Sequence, residues 1–271
     1  MPVAETGRPA LRAGIYQSAL AGRAPEARLD RLAHRLDGAD LDLMVCPELF
    51  LHGYFDETGL PGLAIGRDDP LLARAAALAR ESATALILGY AERAAEGLFN
   101  TAAVFGPDGA ILGHHRKRLA SPHSFEERLF RDGDAPTLVE IGGFRVGVLI
   151  CYEAELPELA REAALAGAEM LCVPTALVDA WPDVAARMMP TRAFENGAWL
   201  LYANHAGAEN GARYLGGSRI IGPDGKERAI AGAEEALITA EIDAAAVDAA
   251  RARLPYLRDA RRARSLAGSS R

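Results

Sequence analysis

Lysine is nearly missing from this chain. Of 30 lysines and arginines, only Lys117 and Lys226 are lysines. Net positive charge is missing altogether, the formal balance being -7. No net basic field exists to gather phosphates, which argues against a nucleic-acid protein. Cysteine is confined to positions 46, 151 and 172, with no CxxC pair. That argues against a disulfide framework or a zinc site, and a reducing cytoplasm fits such usage. No apolar run nears the roughly 20 residues that span a bilayer, so no membrane partner is expected. Residues 1–9 have no charged head followed by an apolar stretch, so no signal peptide is expected either.

What is present is a long, half-apolar chain. Its 271 residues, 50% of them hydrophobic, suffice for one large core or two small ones. Strand and helix patterns alternate along it. Residues 11–18, 41–46, 84–90, 144–151, 169–174 and 198–203 read as strands. Residues 24–36, 71–81, 156–166 and 182–196 read as helices, the last bent or begun again at Pro190. This repetition argues an α/β fold. Two hairpins interrupt it, 100–105 with 110–115 and 218–221 with 226–231, each across Gly-Pro-Asp-Gly. Pro-Asp-Gly is strong turn chemistry. The same turn in each half hints that the halves are alike, a pattern that two face-packed sheets with helices outside would satisfy.

Three residues invite chemical reading. Cys151 closes the run 144–151 and is followed by Tyr152-Glu153-Ala154-Glu155-Leu156-Pro157-Glu158, a turn into a helix. A thiol at the carboxyl end of a buried strand is where an α/β protein places a nucleophile. A buried structural cysteine is the ordinary alternative. Glu48 follows Pro47 and is flanked by Cys46, Leu49, Phe50 and Leu51. Burial there raises a carboxyl pKa toward the range of a general base at neutrality, unless Glu48 is a simple turn residue. Lys117 is retained in a chain that uses arginine for its surface, which points to a compact ammonium that arginine cannot replace. Its alternatives are surface charge or a ligand-binding basic cluster at 114–118, whereas Lys226 sits in a hairpin turn. Together the three make a workable machine. The carboxylate takes the thiol proton, the thiolate attacks an amide or nitrile carbon, and the ammonium and the N–H after Cys151 hold the oxyanion.

The segments 47–54 (Pro-Glu-Leu-Phe-Leu-His-Gly-Tyr), 115–117 (His-Arg-Lys) and 149–158 (Leu-Ile-Cys-Tyr-Glu-Ala-Glu-Leu-Pro-Glu) resemble the three signatures of the nitrilase, or carbon–nitrogen hydrolase, superfamily. Asn100-Thr101-Ala102, 192–196 and Tyr202-Ala203-Asn204 support the likeness, which runs from about Leu11 to about Leu257. The resemblance implies a four-layer α-β-β-α sandwich, a Glu–Lys–Cys triad, no metal or cofactor, and homodimers or larger assemblies of paired sandwiches. By position it makes Glu48 base and acid, Lys117 the oxyanion cation, Cys151 the nucleophile and Tyr152 N–H an oxyanion donor. A second glutamate follows the lysine in the family, for which Glu126 is the match and Glu127 the competitor. Two departures stand out. Leu119 follows Lys117 by two positions where the family often has three, and the family's Cys-Tyr-Asp is here Cys151-Tyr152-Glu153. If Glu153 only caps the helix, little changes; if it touches substrate, specificity shifts.

The likeness is nearest to aliphatic amidases of the 5-aminopentanamidase type, which implies hydrolysis of a small linear carboxamide. A carbamoyl hydrolase or nitrilase of the same fold, a non-catalytic binding member and a Cys–His peptidase are the rivals. Tyr54, Glu155 and Ala176 join the substrate candidates. The segment 177–181 with Met188 and Met189 is apolar where an acyl chain would lie, or is core. Asp179 and Glu155 are candidates to bind a substrate amine, with an exposed acid of no such role the commoner reading for Asp179. His52, His123 and His205 are candidates for the mouth without chemistry. One domain is expected over 1–257, followed by a solvated, arginine-rich tail over 258–271.

Overall fold

The computed structural model describes residues 10–19, 21–54 and 56–268. Residues 1–9, and with them the expectation of no signal peptide, lie outside the described residues. In chain order, β1 (Ala10–Gln17), β2 (Leu43–Val45), β3 (Ala85–Ala94), β4 (Gly97–Phe105) and β5 (Ile111–Arg116) enter a first six-stranded sheet. A second takes β6 (Thr137–Ile141), β7 (Phe144–Val148), β8 (Met170–Pro174) and β9 (Trp199–Ala203). After a small hairpin of β10 (Ala208–Glu209) and β11 (Ala212–Arg213), it is completed by β12 (Arg219–Ile221) and β13 (Glu227–Ile230). Finally β14 (Ala236–Asp243) returns to the first sheet beside β1.

The two sheets share one plan. Their orders are β14-β1-β2-β3-β4-β5 and β6-β7-β8-β9-β12-β13. In each, three parallel strands carry an antiparallel neighbour on one side. On the other side each carries an antiparallel pair closed by a Gly-Pro-Asp-Gly turn. The likeness of the halves hinted at by the turns is therefore present in the topology.

Side-chain alternation along the strands builds the layers. Leu43 and Val45 of β2 face the second sheet, in one cluster with Met170, Cys172 and Leu201. Met44 and Cys46 face outward, against α1 (Pro25–Leu36) and, beyond the single turn α2 (Leu60–Leu63), α3 (Pro70–Glu81). Helix α1 offers Leu29, Leu32 and Leu36, spaced three and four apart on one stripe, with Pro25 in its first turn. After α4 (Glu126–Leu129), helices α5 (Pro157–Leu165) and α6 (Met189–Asn196) cover the second sheet. Ala160, Ala163, Met189 and Ala193 meet Leu171 and Leu200 there. The result is the expected four-layer α-β-β-α sandwich.

Three local expectations change. The strand read over 144–151 stops at Val148, and Cys151–Glu155 winds as a 3-10 turn before Pro157 opens α5. The helix read over 182–196 runs unbroken but is π-helical at Val184–Met188, so Pro190 lies within it, just after the widened turn. After α7 (Ala244–Arg253), the segment read as a solvated tail is the helix α8 (Tyr256–Gly268), so the division placed after residue 257 falls inside it. Alanine and arginine are good helix formers. Tyr256 also packs edge to face on Phe194 at 6.1 Å, and Arg261 Nη2 donates to the Leu165 carbonyl at 3.0 Å. Residues 269–271 of that segment lie outside the described residues. No helix among the described residues is long and apolar enough to cross a membrane.

Candidate active site

Loops leaving the carboxyl ends of β2, β5 and β7 bring Glu48, Lys117 and Cys151 together. The Glu48 loop doubles back over β3. Leu49 adopts a left-handed φ of 49°, and Leu51 N–H donates to the Gly89 carbonyl at 3.0 Å. A Cβ on Gly89 would stand 2.4 Å from Leu49 N and 2.5 Å from the Pro47 carbonyl oxygen. Only glycine admits so close an approach. On the other side His205 Nε2 meets the Glu48 carbonyl oxygen at 2.8 Å, and its Nδ1 lies 3.0 Å from Ser18 Oγ. A carbonyl can only accept, so Nε2 carries the proton and Nδ1 accepts from the Ser18 hydroxyl.

The Glu48 side chain is fully buried. Its Oε1 accepts from Asn100 Nδ2 at 2.7 Å and from Lys117 Nζ at 2.8 Å. Its Oε2 has no hydrogen-bond partner among the described residues. Lys117 N–H donates to the Asn100 carbonyl at 2.8 Å. Its ammonium also reaches Glu126 Oε1 at 2.8 Å and Oε2 at 2.7 Å, and Ser121 Oγ at 3.1 Å. Glu126 further accepts from Ser121 N–H at 3.1 Å and from the Tyr54 hydroxyl.

Two carboxylates therefore share one ammonium in a water-poor site, and they titrate apart. Burial pushes the Glu48 carboxyl up to about 7; Lys117 opposes that shift and the Glu126 charge adds to it. Burial acts on Glu126 in the same sense, but Lys117, Tyr54 and the Ser121 N–H outweigh it and hold this carboxyl below its ordinary range. Burial alone would discharge Lys117, yet Glu126 and Glu48 raise its pKa and keep it an ammonium. The Cys151 thiol is pushed up by burial and by the Glu48 carboxylate, and drawn down by Lys117, the Thr175 hydroxyl and Ala176 N–H. It thus stands within the field of both charged partners. Its backbone φ is 50°, a left-handed value that is costly for a residue with a Cβ.

The turn after Cys151 is held from beneath. Glu153 is fully buried. It accepts from Ile150 N–H at 2.7 Å, His115 Nε2 at 2.8 Å and Arg118 N–H at 3.1 Å. It is a cap that ties the cysteine turn to the lysine strand, and it does not line the pocket. Arg192 donates to the carbonyls of Ala154 at 3.0 Å and Glu155 at 2.6 Å. Above the turn opens a pocket of about 420 Å³, with Cys151, Tyr54, Tyr152, Glu155, Ala176 and Trp181 on its wall.

Each expected site residue now has a place. Glu126, not Glu127, meets Lys117; Glu127 is exposed and accepts from His123 N–H at 3.0 Å. Leu177 and Val178 line the pocket, but Asp179 is exposed and outside its wall. Met188 and Met189 pack in the core beneath the second sheet and do not reach the pocket, because α6 turns that face to β8 and β9. Of the three histidines expected at the mouth only His123 is there. His205 lies under the Glu48 loop, and His52 Nδ1 accepts from Ala91 N–H at 3.0 Å. Sequence reasoning assigned no role to Asn100, Ser121 or Thr175. A polar residue within the apolar run of β4 was the available signal for Asn100, since such a group is buried only with a partner.

The arrangement supplies a proton acceptor with one oxygen unpartnered among the described residues and a fixed positive charge, both acting on a thiol that lines the pocket. The Carbon-nitrogen hydrolase family matches residues 17–252 of the chain. A Pseudomonas protegens protein described as a hydrolase in the pqqF 5′ region is 38% identical, over 94% of this chain and 91% of its own. An (R)-stereoselective amidase from a Pseudomonas species is 33% identical, over 82% of this chain and 80% of its own. The fold is similar to that of an amidase from Nesterenkonia sp. AN1. A glutamate-to-glutamine mutant of it, with the acetamide moiety of fluoroacetamide added at the active-site cysteine, superposes with a TM-score of 0.83 at 29% identity. That match covers 96% of each chain. A cysteine-to-alanine mutant of the same amidase in complex with butyramide gives 0.81 at 29% identity, over 93% of this chain and 98% of that one.

Proposed function

We propose that this chain, which belongs to the carbon–nitrogen hydrolase family and is a hydrolase of amides, converts a small linear carboxamide to carboxylate and ammonia through a thioester on Cys151. The observation that carries the reading is the hydrogen-bonded pair of Glu48 and Lys117, whose charges reach the thiol of Cys151 on the pocket wall. Glu48 Oε2 takes the thiol proton as sulfur attacks the amide carbon. The oxyanion forms between the Lys117 ammonium and Tyr152 N–H, the second N–H of the 3-10 turn. Collapse breaks the C–N bond, and Glu48 hands its proton to the departing amine, releasing ammonia. Glu48 then takes a proton from water, whose oxygen attacks the thioester; the carboxylic acid leaves and the thiol is restored.

A carboxyl near pKa 7 suits this double duty, because it both accepts and donates close to neutrality. Glu126 keeps Lys117 charged and placed, while Tyr54 and Ser121 hold Glu126. The Nesterenkonia amidase, with its cysteine adduct and its butyramide complex, supports both the nucleophile and the small amide substrate. The same reading places the protein in a reducing cytoplasm, where three free buried thiols persist. It also takes the chain to work as a homodimer or larger homo-oligomer.

The test is a rapid acid quench of enzyme mixed with a short amide, followed by intact-mass measurement. An acyl increment should appear on the wild type and be absent from Cys151→Ala, which folds but releases no ammonia. Undiminished ammonia release by that variant would overturn the assignment. Ammonia without carbon dioxide, and no turnover of the matching nitrile, separates amide hydrolysis from its same-fold rivals.

A further inference from the structure

The chemistry above leaves unused a buried carboxylate beside the Glu48 loop. Glu209 ends β10, and the turn that follows is Asn210-Gly211. Both turn residues have positive φ, 45° and 86°, the backbone that a tight two-residue hairpin needs. The far side of the hairpin is tied to the pocket wall. Asp179 N–H donates to the Arg213 carbonyl at 3.1 Å, and Leu215 N–H to the carbonyl of Leu177, which lines the pocket, at 2.9 Å.

Glu209 faces Arg28 of α1, and both side chains are buried. Arg28 Nη2 lies 3.6 Å from Glu209 Oε1. Arg28 Nη1 donates to the Phe50 carbonyl, in the Glu48 loop, at 3.0 Å. Glu209 Oε2 accepts from Tyr54 N–H at 2.8 Å and from the Tyr214 hydroxyl at 2.5 Å. A Cβ on Gly53 would stand 2.3 Å from Glu209 Oε1, so the loop passes the carboxylate at a distance that only glycine allows. Both tyrosines lead to the reacting groups. The Tyr54 hydroxyl donates to Glu126, which holds Lys117. Tyr54 is therefore a strut, gripped by Glu209 at its backbone and by Glu126 at its tip. The Tyr214 ring lies 4.9 Å from the ring of His205, whose Nε2 donates to the Glu48 carbonyl.

We infer that Glu209 is a positioning residue of this site: it fixes Tyr54 and Tyr214, and through them the Lys117 ammonium and the Glu48 loop. The inference rests on the amidase reading for the reaction that it serves. A buried ion pair is a poor source of net stability, because desolvation offsets most of its attraction. What Glu209 supplies instead is two charge-assisted hydrogen bonds converging on one oxygen, which hold more strongly than neutral ones. A reacting group displaced by about 1 Å loses about a hundredfold in rate, so the grip on Tyr54 is felt in kcat.

Steady-state hydrolysis of butyramide by Glu209→Gln tests it. The kcat should fall about tenfold or more, with KM changed far less. Glutamine leaves Arg28 without its counter-charge, so Glu209→Asp is the companion variant. It keeps the charge and withdraws the carboxylate by one methylene. Its kcat should also fall, whereas a pair that served the fold alone would leave the aspartate variant fully active. In a double-mutant cycle with Tyr54→Phe, the combined loss in kcat should stay close to the larger single loss, because both changes act on one strut. Alkylation of Cys151 by iodoacetamide at neutral pH, read by intact mass against Cys151→Ala, needs no turnover and should slow in both Glu209 variants. Wild-type kcat in the aspartate variant, a loss confined to KM, or single losses that simply multiply overturns this proposal and leaves the amidase reading standing. No ammonia from any short amide with the wild type, alongside slowed alkylation in the variants, overturns the amidase reading and leaves Glu209 positioning the charges around the thiol.

Discussion

Glu48 and Lys117 are joined through a single carboxylate oxygen. Nζ lies 2.8 Å from Oε1, while Oε2 is buried with no hydrogen-bond partner among the described residues. The pairing keeps the side chain in place and leaves the other oxygen to move protons. A carboxylate held in this way is useful and costly at once.

Glu48→Gln should lower kcat about a thousandfold, the scale of a lost general base. It should not lower stability at pH 8. The carboxyl is raised in the folded state, so its favourable contribution is complete below the unfolded value and is lost as pH rises through about 7. Above that point the charged side chain costs up to about 3 kcal/mol, which glutamine removes. Thermal melts at pH 8 and pH 5 check this: the variant should melt at or above the wild type at pH 8, and the gap should close at pH 5. The same titration puts the acid limb of wild-type kcat/KM near pH 7.

Lys117→Arg should lose two or more orders of magnitude in kcat, because a planar guanidinium cannot occupy the compact space between Glu48, Glu126 and Ser121. Lys117→Met removes the charge and leaves two buried carboxylates without a counter-ion. Denaturant unfolding at pH 8 should show a loss of about 3–5 kcal/mol. Wild-type rates from the arginine variant would remove Lys117 from the chemistry.

Gly89→Ala should disable the site from outside it. The added methyl meets the Pro47 carbonyl, Leu49 N and the Glu48 carbonyl carbon, all backbone that cannot yield cheaply. We expect at least a hundredfold fall in kcat with β3 still formed, since a small displacement of a reacting group is enough. Ala103, which lies opposite Leu88 one strand over, is the comparison: Ala103→Gly should lower stability about 1 kcal/mol with far less effect on kcat.

Acid should loosen the fold in a definite window. Burial depresses His52, His114 and His205 to about 4. A depressed group contributes stability that is complete above the unfolded value of about 6.5 and is lost as pH falls through the folded one. Glu48 acts in the opposite sense over part of that range, so the measurement belongs in the Glu48→Gln background. There the denaturant midpoint should fall between pH 6.5 and pH 4, with proton uptake on unfolding. A flat midpoint across that window would show that the three histidines are not buried neutral.

Much of this molecule is written locally. The alternation in Leu43-Met44-Val45-Cys46, the three- and four-residue spacing of Leu29, Leu32 and Leu36, and the repeated Gly-Pro-Asp-Gly turn specify strands, helices and two similar halves, because periodicity and turn chemistry act between near neighbours. The residue types at 48, 117 and 151 mark out a carboxylate, an ammonium and a thiol for the same reason. Tertiary structure alone settled the rest. The choice of Glu126 over Glu127 depends on which way a single-turn helix faces. The fate of Met188 and Met189 depends on the packing of α6. The hold of His205 on the Glu48 loop and the clearance at Gly89 join residues far apart in the chain. Such contacts form only when two sheets stack and bring loop ends within hydrogen-bond range, and no local pattern encodes a distance across that gap.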